Sequence, residues 1–163
     1  MGHDLRAIIG KPPIAAALAA RFDGVRRVPL SQGFEMVPVL ARLFDAMAFS
    51  AEATNPEAAV GGWSRLGVQV ENLLAELSRT APVAYVFTEY FGGSGAQSAL
   101  AFVGGRLATR HSGVGRVLPW SSSIGPINNA LAAIGVVREQ GQDEFDSVGL
   151  GRHRSMDDWE ADE

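Results

Sequence analysis

The sequence predicts a single α+β domain with a mainly antiparallel sheet and helices packed on one face. Three observations lead there. The chain has 163 residues, 47% apolar and 20% charged, a balance that suits one soluble domain with one core. Its strand-like runs follow each other through glycine turns, as hairpins do. The order strand, helix, hairpin, two helices, meander, helix is not the strict alternation that builds a parallel sheet.

Leu5 to Ile9 reads as a buried strand, stopped by Lys11-Pro12-Pro13, where the prolines preset a helix start. The helix runs over Ile14 to Phe22, is rich in alanine, and closes at Asp23-Gly24. VRRVPL, SQG and FEMVPV then read as a hairpin, with Pro29 and Pro38 marking strand ends or sheet edges. Leu40, Leu43, Phe44 and Met47 form a helical stripe, and Phe49 to Gly62 reads as an irregular loop. A helix over Leu66 to Ser78, with Ser64 as its cap, buries Leu66, Val70, Leu73, Leu74 and Leu77.

After Pro82, VAYVFTEYF is the strongest strand signal. GGSG interrupts it, AQSALAFV resumes, Gly104-Gly105 turns the chain, and RLATR returns, so a three-stranded meander is expected at the sheet's centre. HSGVGRVLPWSSSIGP reads as a long loop and Pro126 to Ile134 as a helix that Gly135 ends.

Charge is unevenly spread. No Asp or Glu occurs from Tyr90 to Arg138, whereas five of the last seven residues are acidic. Without those five, 13 acids face 14 Lys plus Arg, so the expected organisation is a near-neutral domain over residues 1–156 and an acidic tail over 157–163. A pI of 5.4 argues against general nucleic-acid binding, which needs a basic face. There is no cysteine, which excludes disulfides and thiol chemistry. The start, MGHDLRAIIGKPP, lacks a basic segment followed by an apolar run of signal length, and no stretch approaches the roughly 18 apolar residues of a membrane span. A cytoplasmic protein with no membrane association is expected.

Three clusters of polar residues could carry function. In the first, Glu89 meets a glycine-rich turn through Tyr90, Phe91 and Gln97, where a sheet could aim a side chain at a ligand; an ordinary hairpin with a solvated Glu89 is the simpler reading. The glycines match neither a phosphate loop nor a dinucleotide fingerprint, and Ser94 is not in a nucleophile elbow. The second joins Arg110, His111, Arg116 and Ser121 to Ser123 ahead of the helix at Pro126, an arrangement able to hold a phosphate or carboxylate, or to remain a plain loop. Beside it, Trp120 is either a core anchor or an interface residue.

The third cluster is DEFDSVGLGRHR, followed by SMDDW. Structurally, its acids and Arg152, His153 and Arg154 would pin the C-terminus through salt bridges while Phe145, Leu150 and Trp159 dock as apolar plugs. Functionally, His153 would act as a general base oriented by Asp143 or Asp146. The three histidines, at 3, 111 and 153, form no paired metal motif, so neither a metal nor a cofactor is expected.

The segments EYFGGSGAQ, GPINNALAAIGV and DEFDSVGLGRHRSMDDW resemble a family of small bacterial proteins, some of which look like immunity proteins of polymorphic toxin systems. The resemblance implies a bacterial, cytosolic, single-domain protein that binds and blocks a toxin, and it brings no catalytic residues with it. The expected function is therefore a non-enzymatic binding protein with a protein partner, anchored by Tyr90, Phe91, Gln97, Trp120, Arg152, His153, Arg154 and Trp159. The alternative is a small hydrolase or small-ligand binder built on Glu89, His153 and Arg152 or Arg154.

Overall fold

The structure, a computed structural model, describes residues 3–50, 67–91, 94–116 and 125–161. The loop expected over Phe49 to Gly62 and the cap at Ser64 fall largely outside these residues, as do Gly92, Gly93, Trp120 and Ser121 to Ser123. The chain opens with β1 (His3–Gly10) and α1 (Pro12–Arg21). The short strands β2 (Val28–Pro29) and β3 (Glu35–Pro38) follow, joined by a 3-10 turn at Ser31–Gly33. Helices α2 (Ala41–Ser50) and α3 (Gly67–Leu77) precede the meander β4 (Val83–Phe91), β5 (Ser94–Val103) and β6 (Arg106–Arg116). Helices α4 (Pro126–Ala133), α5 (Glu144–Val148) and α6 (Met156–Ala161) complete it.

The six strands form one sheet in the order β2-β3-β1-β4-β5-β6, every neighbouring pair antiparallel. This is a single α+β domain. The helices, however, divide between both faces of the sheet instead of covering one. Side chains alternate across a strand, and β1, β4 and β5 each carry a continuous apolar run, at 7–9, 83–87 and 99–103. Ile8, Tyr85, Leu100 and Phe102 pack with Leu18 of α1 and Leu74 of α3. Ala7, Ala84, Ala99 and Ala101 face the other way, toward Leu131 of α4 and Trp159 of α6. A strand buried on both faces reads as a continuous apolar run, which is what IIG in β1 and VAYVF in β4 are.

The meander is not the sheet's centre either. β1 and β4 hold the middle and β6 forms an edge. Residues 111–116, expected in a loop, continue β6, because β5 presents ladder partners from Ser94 to Ala101 and pairing outweighs the weak strand preference of the glycines. The turn at Gly104-Gly105 is as expected: φ is 62° and 85°, the two positive values that a two-residue hairpin turn needs. It is tied to the end of α3, where Gly105 N–H donates to Ser78 Oγ at 2.8 Å.

Two further links fix the sheet against the loops. Lys11 Nζ donates to the Gln32 carbonyl at 2.6 Å and lies 4.0 Å from the Phe34 ring centroid. The Gln32 amide bonds the Val137 backbone in both directions, donating to its carbonyl at 2.7 Å and accepting from its N–H at 2.9 Å. Gln32 does this at a φ of 60°, the single positive value at a non-glycine position among the described residues.

Gly10 ends β1 where α1 crosses it. A Cβ there would stand 2.8 Å from Ile14 Cγ1 and 3.1 Å from the Pro82 carbonyl, so Gly10→Ala is expected to cost about 1–3 kcal/mol by overpacking. Chemical denaturation with an unchanged m-value would confirm it, and a neutral result would mean that α1 can lift from the strand.

Candidate functional site

The C-terminal motif is the best-defined polar arrangement in the molecule, and it begins with the caps of α5. Asp143, 4% exposed, is the N-cap residue: its Oδ1 accepts from Asp146 N–H at 2.9 Å, as caps do. Its Oδ2 accepts from Asn128 Nδ2 at 3.1 Å, and Asn128 Oδ1 accepts from Phe145 N–H at 2.9 Å. The buried amide of α4 thus reads one acid and one backbone group of α5. At the other end Gly149 takes φ 100° as a left-handed C-cap, a conformation open to glycine. Gly151 passes so close to Asp146 that a Cβ would meet its Oδ1 at 2.7 Å. Burial, then the neighbouring Asp143 carboxylate, hold the Asp146 carboxyl above its usual range. Glu144, 8% exposed, faces Arg138 Nε at 3.8 Å.

After a 3-10 turn at Leu150–Arg152 the chain returns to the sheet. Strand β3 pairs only with the second half of β1, from Ala7 to Gly10. The C-terminal segment occupies the first half: Asp4 N–H donates to the Arg154 carbonyl at 2.8 Å and Arg6 N–H to the Met156 sulfur at 3.2 Å. Helix α6 then starts on a cap of its own, in which Ser155 Oγ accepts from Asp158 N–H at 3.2 Å and donates to Asp158 Oδ2 at 2.9 Å. Its Trp159 is 0% exposed. The Arg152 guanidinium lies 5.1 Å from the Trp159 ring, and the His153 ring meets it edge-on at 4.6 Å and 88°. Arg152 also donates to the Pro29 carbonyl at 3.3 Å.

These distances place the sequence-predicted site residues. Phe145, Leu150 and Trp159 dock as plugs, as the structural reading expects. The contacts that pin the segment include the helix caps, the Arg152 cation over the Trp159 ring and the ion pair of Glu144 with Arg138. Trp159 is therefore a core residue and not a surface anchor. Residues 157–161 belong to a docked helix, so the acidic segment starts inside the fold. His153 is half-buried beside Trp159, Arg152 and Arg154 are exposed, and the Arg154 carbonyl bonds β1.

The backbones of Glu89, Tyr90 and Phe91 lie on β4, and their side chains lie outside the described residues. Glu89 is the ladder partner of Asp4, and the Arg154 carbonyl takes the Asp4 N–H on β1's other side. Two strand spacings, roughly 10 Å, thus separate the Glu89 and Arg154 backbones. Gln97 serves the packing of the sheet against α4. Its Oε1 accepts from Ile127 N–H at 3.3 Å, which occupies a backbone donor at the start of α4 that the anion-binding reading of that cluster would have used. The side chains of His111 and Arg116 lie outside the described residues.

Arg110 pairs with Glu71 of α3. Burial holds the Glu71 carboxyl above its usual range, while Arg110 opposes that shift. A raised folded-state pKa gives stability that is present in acid and lost as pH rises through it. In Arg110→Leu the opposing charge is gone, so the expected loss, about 1–2 kcal/mol at pH 7 because both side chains keep some solvent access, should shrink as pH falls below the usual glutamate range. Urea unfolding of both proteins at pH 7 and pH 4 reads this directly; an equal loss at both would assign the effect to packing.

Asn128 and Gln32 were missed from the sequence. Asn128 had a signal, since it lies within one turn of the buried Ile127 and Leu131 on a helix; Gln32 had none, because its partner Val137 is distant in the chain. Compared with family models, curated proteins and solved structures, the chain matches none. The class that fold and site define is an α+β domain whose sheet is covered on both faces and, among the described residues, ends at β6. Among the described residues, no helix is long and apolar enough to cross a membrane.

Proposed function

We propose that this protein is a non-enzymatic binding protein of immunity type, which binds and neutralises a toxin in the cytoplasm of a bacterium. One observation carries the binding part: β6 ends the sheet as an eleven-residue strand, with Leu107 45% exposed and Val103, across the turn, 40% exposed. A long edge strand flanked by exposed apolar side chains is a surface prone to association. The immunity part rests on the resemblance of the three sequence segments. The acid/base alternative draws no support from His153, whose ring is packed on Trp159.

The test is capture with the tagged full-length chain in a bacterium that carries its gene. A stoichiometric protein that arrests growth when expressed alone, with growth restored by co-expression of this chain, is the expected result. A small molecule retained with no protein would overturn the reading and return attention to Glu89 and His153.

A further inference from the structure

We propose that Met156 is a site of reversible oxidation by peroxides, and that its sulfoxide releases the C-terminal segment from β1. The oxidation is independent of the binding reading.

The chain has no cysteine and four methionines, so reversible oxidation of sulfur falls on methionine. Met36 and Met47 are 0% exposed, each inside a core cluster. Met156 is 9% exposed, the highest value in the core cluster to which it belongs, and Arg154 and Asp157 around it are exposed. A small outward motion at the start of α6 brings its sulfur to solvent, whereas Met36 and Met47 require the core to open.

The sulfur also has a structural task. Asp4 N–H donates to the Arg154 carbonyl at 2.8 Å, and one step further along both segments Arg6 N–H donates to Met156 Sδ at 3.2 Å. The thioether thus stands where a strand would supply its next carbonyl. The Arg6 carbonyl accepts from Val39 N–H at 2.8 Å, so Arg6 is the point at which the cover of β1 passes from the C-terminal segment to β3. A backbone donor needs an acceptor, and here it depends on a weak one.

In the oxidation the sulfur lone pair attacks one oxygen of hydrogen peroxide. The S–O bond forms as the O–O bond breaks, and the proton of the transferred oxygen passes to the leaving hydroxide to give water. Sulfur loses two electrons and the peroxide gains them. The product cannot keep the contact with Arg6. A separation of 3.2 Å between nitrogen and sulfur leaves no space for an oxygen between them, and the sulfur of a sulfoxide is electron-poor and no longer accepts. The new oxygen is polar, and burying it without a partner is costly. Turning it toward water draws the first turn of α6 off β1, which frees Arg6 N–H and shifts Trp159 on the next turn.

The test treats the isotope-labelled full-length protein with hydrogen peroxide, follows each methionine by peptide mass spectrometry, and records amide and indole NMR spectra. Met156 is expected to oxidise at least about tenfold faster than Met36 and Met47. With it, the Arg6 amide should exchange faster and the Trp159 indole signal should move, while the amides of Ala84 and Ala101, 0% exposed in mid-sheet, keep their protection. Methionine sulfoxide reductases A and B, one for each epimer, should together restore the original spectrum. Met156→Leu, a change of similar volume that the core tolerates, should hold the Trp159 signal fixed under the same peroxide. Four results would overturn the proposal: Met36 and Met47 oxidising as fast as Met156, Met156 left intact by peroxide that fully oxidises free methionine, a Met156 sulfoxide that leaves the Arg6 and Trp159 signals in place, or a leucine variant whose Trp159 signal still moves.

Discussion

Replacing Trp159 with alanine should destabilise the protein by about 3–5 kcal/mol, the cost of deleting a fully buried aromatic side chain. The ring is 0% exposed and belongs to the core cluster that joins the sheet to α4 and α5. It also carries Arg152 above it and His153 at its edge, so the cut reaches beyond its own volume. For a chain of this length the loss corresponds to a fall in Tm of roughly 10 °C. Trp159→Phe is the sharper probe. The indole Nε1 is buried with no hydrogen-bond partner among the described residues, and an orphaned donor costs about 1–3 kcal/mol. Phenylalanine removes that donor along with part of the volume, so its net loss should be far smaller than alanine's. Calorimetry of the three proteins checks both points. A phenylalanine variant as unstable as the alanine variant would mean that the indole N–H is satisfied in solution.

Asp143→Ala should have the second largest effect, about 2–4 kcal/mol. It removes the N-cap of α5, typically worth about 1 kcal/mol, and takes from the buried Asn128 amide the Asp143 oxygen to which it donates, an added cost of about 1–3 kcal/mol. Asp143→Asn keeps a cap oxygen and should lose less. The asparagine variant has a second readout. Asp146 is held above the usual carboxylate range first by burial and then by the Asp143 charge, so in Asp143→Asn its titration should move part of the way back down. The linkage follows from the direction of the shift: a raised folded-state pKa favours the folded protein in acid, and that contribution is lost as pH rises through it. Wild-type stability should therefore carry a small penalty at neutral pH that Asp143→Asn reduces. Carboxyl-carbon NMR of Asp146 in both proteins measures the shift; an unmoved titration would assign it to burial alone.

Both predictions fall within DEFDSVGLGRHRSMDDW, the segment whose residue types most resemble chemistry. Acids, glycines, a histidine and two arginines are also what a chain needs to cap two short helices, turn between them and seat a tryptophan. The motif was legible as distinctive, but its purpose was not. Helices of five and six residues, such as α5 and α6, are too short to show a 3.6-residue period, and their caps become recognisable only when the bonded N–H groups are known.

Elsewhere local chemistry was sufficient. The apolar runs of β1 and β4, the prolines opening α1 and α4, and the paired glycines between β5 and β6 act within a few residues of themselves, and each was read correctly from the chain. What lay beyond local reach was every feature set by partners far apart in sequence. The extension of β6 to Arg116 depends on β5. The two-sided cover of the sheet depends on where six helices return after long excursions. The burial of Trp159 depends on β1, which pairs with the C-terminal segment 150 residues away, from Arg6 to Met156. Period and turn chemistry specify which segments form strands and helices, because those preferences are local. Which strands end the sheet, and which polar residues are absorbed into packing, is decided only when the segments meet, because burial is a property of the assembled fold.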